Sequence, residues 1–135
     1  MSPKRLIDTN LIVRHLVQDQ AAHGRIARNR FEASDRGGVT IILLPVVLAE
    51  CVFVLESFYK FKRARIAAAL GLLISSPGVQ TDQAPIYLDA LGRYRDSTLH
   101  FVDCVLAAAA SAAKVPVATF DRGFRRFADV SIDNS

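Results

Sequence analysis

Short runs of aliphatic and β-branched residues alternate along this chain with longer stretches whose apolar positions recur at helical spacing. Leu6-Ile7 reads as the end of a first strand, and Asp8-Thr9-Asn10 is cap chemistry before a helix through Leu11, Ile12, His15 and Leu16. A polar helix is predicted over Ala21 to Ser34, anchored by Ile26 and Phe31 and ended by Gly37-Gly38. Val39 to Leu43 is a continuous β-branched run, as expected of a strand buried on both faces. Pro45 stands where a first-turn helix proline belongs, ahead of a helix through Val46, Val47, Glu50, Val54 and Ser57. Further helices are predicted over Lys60 to Ile74, Ala84 to Tyr94 and His100 to Lys114. Short strands are expected at Val79 to Thr81, Val117 to Thr119 and Val130 to Ile132, with a helical turn at Arg122 to Phe127. Strands separated by helices imply the α/β class: a mostly parallel sheet with helices on both faces, a three-layer α/β/α sandwich.

Composition narrows this picture without redirecting it. At 135 residues, 51% of them hydrophobic, the chain is expected to form one domain over 1–135 with an ordinary core. A charged fraction of 22% speaks against disorder. Cys51 and Cys104 lie within apolar helical patterns, so they read as small buried hydrophobes rather than a disulfide. Neither they nor His15, His23 and His100 have the spacing of a zinc site. With no leader pattern and no run fit to span a bilayer, a cytoplasmic protein is expected. The net charge of +4 favours anionic partners only weakly.

The positions of four acids are more informative. In open parallel sheets, ligands bind beyond the carboxyl ends of the strands. Asp8 follows the first strand and Asp121 the fourth, while Glu50 is in the opening turns of the helix leaving the second. Asp103 is near the start of the helix leading into the fourth strand, which runs back from that same edge. Carboxylates gathered this way repel unless protonated or neutralised by cations. An all-oxygen donor set selects hard ions such as Mg2+ or Mn2+, which support phosphodiester hydrolysis by a metal-activated water. No Ser-His-Asp or Cys-His arrangement competes with that chemistry.

Leu6-Ile7-Asp8-Thr9-Asn10, Leu48-Ala49-Glu50, Phe101 to Ala108 around Asp103, and Ala118-Thr119-Phe120-Asp121 together resemble the PIN-domain ribonucleases, specifically the VapC-like toxins of toxin–antitoxin pairs. The resemblance spans nearly the whole chain. It implies about five parallel strands, a Mg2+- or Mn2+-dependent endoribonuclease, a homodimer, and inhibition by a small antitoxin protein. It places Asp8, Glu50, Asp103 and Asp121 at the metal-binding catalytic positions and Thr9, Asn10 and Thr119 at supporting ones. Cys104 departs from the family, which more often has a small residue there.

Each residue also has a plainer reading. Asp8 is a good helix cap, Asp103 complements a helix dipole, and Asp121 can be a turn acid. Glu50 sits beside an apolar stripe (Val46, Val47, Phe53, Val54), where an unpaired carboxylate is costly. Asp82 reads as a cap for the following helix, and Glu32, Glu56, Asp89, Asp96 and Asp129 as solvated surface. Of the basic clusters, Lys60 to Arg65 and Arg93 with Arg95 read as solvated faces, whereas Arg122, Arg125 and Arg126 beside Asp121 are favoured as an RNA-phosphate patch. Phe53, Phe58, Tyr59 and Phe61 read as core rather than a base-stacking platform; if some are exposed, an antitoxin groove or dimer face is a better expectation than RNA stacking. Two other functions stay open. A haloacid-dehalogenase-type phosphatase would need a second Asp where Asn10 stands, and a non-catalytic PIN-fold binding module would typically have lost one of the acids.

Overall fold

The computed structural model describes residues 3–17 and 36–133. The predicted helix over Ala21 to Ser34 lies outside them. The chain divides into two compact units, Met1–Ala84 and Pro85–Ser135.

In the first unit, β1 (Lys4–Leu6), β2 (Thr40–Ile42) and β3 (Val79–Gln80) form a parallel ladder in the order β1-β2-β3. Leu6 is in register with Ile42, and Ile42 with Gln80. The Ile7 and Leu43 amides extend the pairing by donating to the carbonyls of Ile42 (3.3 Å) and Gln80 (2.9 Å). α1 (Thr9–Val17) leaves β1 directly and packs on α2 (Pro45–Ser57), which leaves β2. Pro45 holds Leu44 extended (φ −70°, ψ 143°) and opens α2 where no backbone donor is needed. α2 buries Leu48, Cys51, Val52 and Leu55, one stripe at helical spacing. α3 (Arg63–Ser75) packs Ile66, Leu70 and Ile74 into the same core and returns the chain to β3. It begins three residues later than the sequence pattern predicts, because Lys60 has a left-handed backbone (φ 59°) that ends helical geometry there.

In the second unit, α4 (Ala84–Arg95) and α5 (Phe101–Ala113) precede β4 (Val117–Ala118), a 3-10 turn at Arg122–Arg126, and β5 (Ile132–Asp133). β4 and β5 pair in parallel, Val117 with Ile132. Ala107 and Ala110 of α5 form a core with Val117, Phe124 and Val130, and the small side chains let the helix approach β4 closely.

The α/β class stands, but the single five-stranded sheet does not. The described strands form one ladder of three and one of two, each parallel. Each pairing covers only two or three residues, so each ladder makes few hydrogen bonds. β2 is also less enclosed than its composition suggests: Ile41 and Leu43 are buried, whereas Thr40 and Ile42 are half-buried.

Arg93 ties the second unit together. Its guanidinium forms a two-pronged pair with Asp129, bonds Asp89 one turn back through Nε (3.1 Å), and lies over the Phe127 ring at 4.9 Å. Ser111 of α5 donates to the same Asp129 carboxylate at 2.8 Å. Asp89 and Asp129 are exposed, as expected of surface acids, and both also hold Arg93; Asp96 with Arg95 is an exposed ion pair, and Glu56 with Arg63 a partly exposed one. The Arg93 side chain is 11% exposed and that of Asp129 is 52% exposed, so water screens one end of the pair. Arg93→Met should cost about 1–2 kcal/mol in chemical denaturation. The Arg93 guanidinium and the Ser111 hydroxyl hold the Asp129 carboxyl well below the usual carboxylate range. Its stabilisation is thus complete above the unfolded carboxyl value near about 4 and fades as pH falls below it. Melting curves from pH 5 to 2 should drop more steeply for the wild type than for Asp129→Asn, and parallel curves would refute the clamp.

Candidate active site

The two strand-helix junctions of the first unit set out its two candidate acids. Asp8 lies two residues beyond β1 and caps α1: its Oδ1 accepts from the Leu11 amide at 2.9 Å, and its carbonyl accepts from Ile12. Among the described residues its other carboxylate oxygen has no hydrogen-bond partner. Because β1 and β2 run parallel, the start of α2 lies at the same carboxyl edge, and Glu50 is just over one turn into that helix. Glu50 makes no hydrogen bond or ion pair among the described residues, and it is exposed.

That exposure corrects the burial argument. Val46 and Phe53, four before and three after Glu50, are 71% and 66% exposed, so this carboxylate stands on an open face and needs no buried partner. The stripe that α2 buries is the neighbouring one. Asp82 is also exposed and, among the described residues, makes no capping hydrogen bond; Gln83 turns the chain with a left-handed backbone (φ 56°) instead.

The fully buried Cys51 thiol registers both acids. Its pKa is pushed up to about 12, first by burial and then by the negative charges of Glu50 and Asp8. Two acids 42 positions apart thus act on one sulfur. One residue beyond β3, the Thr81 hydroxyl is buried with no hydrogen-bond partner among the described residues. Sequence reasoning passed over it. Its only sequence signal is a hydroxyl directly after a strand.

In the second unit, Asp103 is the third residue of α5, where a negative charge complements the helix dipole. It is half-buried and makes no hydrogen bond or ion pair among the described residues. Asp121 caps the 3-10 turn, its Oδ1 accepting from the Gly123 amide at 2.8 Å. The Asp121 amide in turn donates to Thr119 Oγ1 at 2.9 Å, so Thr119 fixes the backbone that carries the acid. A Cβ on Gly123 would come within 3.1 Å of that carboxylate and 2.6 Å of a Leu99 methyl, which explains the glycine. Thr9 and Asn10 open α1 and make no side-chain hydrogen bond among the described residues. Arg122, Arg125 and Arg126 are exposed, and so is Phe120, at 92%, an aromatic that sequence reasoning passed over. Within either unit, among the described residues, no three His, Cys, Asp or Glu side chains gather into a metal-binding group.

A family model described as PIN domain matches residues 5–130. The chain belongs to the PIN domain family. No curated protein matches it. PIN domains have a nuclease-type fold, are generally metal-dependent nucleases that use divalent ions, and imply binding to RNA. No helix among the described residues is long and apolar enough to cross a membrane.

The residues of this PIN domain fit a divalent cation by donor chemistry. All four candidate groups are carboxylates, and each keeps at least one oxygen without a hydrogen-bond partner among the described residues. Cys51 is buried and protonated, so it does not add a soft ligand. Cys51 and Cys104 are both buried, and neither forms a disulfide. A thiol reagent at pH 8 should leave both untouched in the native protein and label both in denaturant. Asp8→Asn should behave the same way, since burial outweighs the two charges at Cys51. Rapid native labelling would contradict this.

Proposed function

We propose that this chain is a metal-dependent endoribonuclease and the toxin of a toxin–antitoxin pair. Membership of a family of metal-dependent nucleases supports the class of reaction. The observation that supports the site assignment is the parallel pairing of β1 with β2, from which Asp8 and the helix that carries Glu50 both leave at the same carboxyl edge. Asp103 and Asp121 complete the proposed set from the motif order. Both belong to the second unit: Asp103 is in the first turn of the helix that leads into β4, and Asp121 follows that strand.

In this reading Asp8, Glu50, Asp103 and Asp121 hold one or two divalent cations, Mg2+ or Mn2+. A divalent ion held by these carboxylates would supply an activated water and offset charge developing on the phosphodiester. Helix capping pins Asp8, and the Thr119 hydroxyl together with the Gly123 amide pins Asp121. Thr9 and Asn10 are supporting residues at the mouth of α1. Arg122, Arg125 and Arg126 would take RNA phosphates, which set position without reading sequence. The exposed Phe120 ring beside them offers a face to a base.

The toxin assignment, the homodimer and the small antitoxin partner rest on the motif spellings. Exposed apolar side chains at Val46, Phe53 and Leu72 are surface of the kind that protein partners cover.

Asp8→Asn and Asp103→Asn should each lower RNA cleavage by at least about 100-fold while the melting temperature shifts little. Chelation should abolish wild-type cleavage, and excess Mg2+ or Mn2+ should restore it. Expression of the wild type, but not of either variant, should arrest growth. Full activity in either variant would overturn the assignment.

A further inference from the structure

The turn between α2 and α3 carries Phe58-Tyr59-Lys60-Phe61-Lys62-Arg63-Ala64-Arg65, a segment that neither the core nor the acidic edge uses. Its rings form a continuous row. The Phe58 and Tyr59 centroids are 5.9 Å apart, those of Tyr59 and Phe61 are 6.3 Å apart, and the Arg65 guanidinium stacks on the Phe61 ring at 3.7 Å. Arg65 closes one face of Phe61, whereas Phe58, at the other end of the row, is 80% exposed. Lys60, Lys62 and Arg65 are exposed and make no ion pair among the described residues; Arg63 is paired with Glu56.

The turn is held rather than loose. The Phe58 and Tyr59 amides donate to the Val54 carbonyl (2.9 and 3.3 Å), and the Phe61 amide to that of Leu55 (3.0 Å). Lys60 occupies a left-handed backbone region that glycine or asparagine would fill at less cost. Lys60 thus stands at the bend between Tyr59 and Phe61 with its side chain exposed.

We propose that this turn is a binding platform for single-stranded RNA, with Phe58 as the base-stacking ring and Lys60, Lys62 and Arg65 as phosphate contacts. The pairing of open π-faces with uncompensated cations is the complement of an unpaired polyanionic strand. A duplex hides its base faces, and an apolar protein groove has no use for the three cations. Naming RNA as the ligand rests on the nuclease reading. The platform is otherwise independent of the acids, and it would hold the strand outside the reacting centre.

The test uses the full chain carrying Asp8→Asn, freed of metal by chelation, and an unstructured fluorescent RNA of about a dozen nucleotides. Phe58→Leu, which keeps an apolar side chain but removes the ring, should weaken binding about tenfold. The pair Lys60→Ala and Lys62→Ala should lower the slope of log affinity against log salt by about 1.4. The chain has no tryptophan, so Phe58→Trp places a single reporter in the row. It should keep the affinity, and its emission should be quenched by the single strand and not by a duplex of the same sequence. Phe58 is outside the core, and circular dichroism should confirm that each variant folds. Unchanged affinity in Phe58→Leu, an unquenched tryptophan, or loss of self-association with RNA affinity intact would each overturn the platform, the last marking a protein interface instead. Failure of the nuclease reading would appear separately, as no cleavage of the same RNA by the wild type in Mg2+ or Mn2+, and would leave the binding result readable.

Discussion

Parallel pairing of β1 with β2 is the constraint on which the first unit depends. Antiparallel partners can be joined by a two-residue turn, whereas parallel ones need a crossover long enough to return the chain to the same starting edge. Each strand is then followed by a helix that begins at one common rim. Asp8 and the start of α2 share that rim for this reason, and Pro45 sharpens the exit by forbidding earlier helix. Once α1 and α2 are packed side by side, Cys51 is trapped beneath them and feels the charge of both acids.

The second unit solves a related problem with different means. Its two strands are too short to organise much by themselves, so alanines on α5, the Phe124 ring and the Arg93 clamp do the holding. Placing the clamp on Asp89 and Asp129 consumes two carboxylates that would otherwise compete for cations, and leaves Asp103 and Asp121 with their charges uncompensated by any described arginine. Asp8, Glu50, Asp103 and Asp121 are exposed or half-buried and have no cationic partner among the described residues.

Local chemistry was legible in the sequence, and long-range pairing was not. Pro45, the helical stripe from Leu48 to Leu55, the buried thiols and the short strands all follow from residue type and spacing, which act within a few positions. Arg93 and Asp129 are 36 positions apart, and nothing in their neighbourhoods distinguishes them from solvated charges. The apolar pattern around Glu50 was misleading because α2 has more apolar residues than one core face can take; the helix buried one stripe and left Val46 and Phe53 outside. Lys60 broke the predicted helix through a backbone choice that its side chain does not announce. β2, β3 and β4 form within their expected segments, whereas β1 and β5 keep only Leu6 and Ile132 of theirs, because ladder hydrogen bonds rather than composition fix strand ends.

The central claim is that Asp8, Glu50, Asp103 and Asp121 act as one cation-binding set. Calorimetric titration of Mn2+ into the wild type and into Asp8→Asn, Glu50→Gln, Asp103→Asn and Asp121→Asn tests it without reference to any RNA. The account predicts saturable binding to the wild type and weakening by at least about tenfold in every variant, each having lost a charged oxygen ligand. No binding by the wild type, or wild-type affinity in the Asp103 and Asp121 variants, would contradict it.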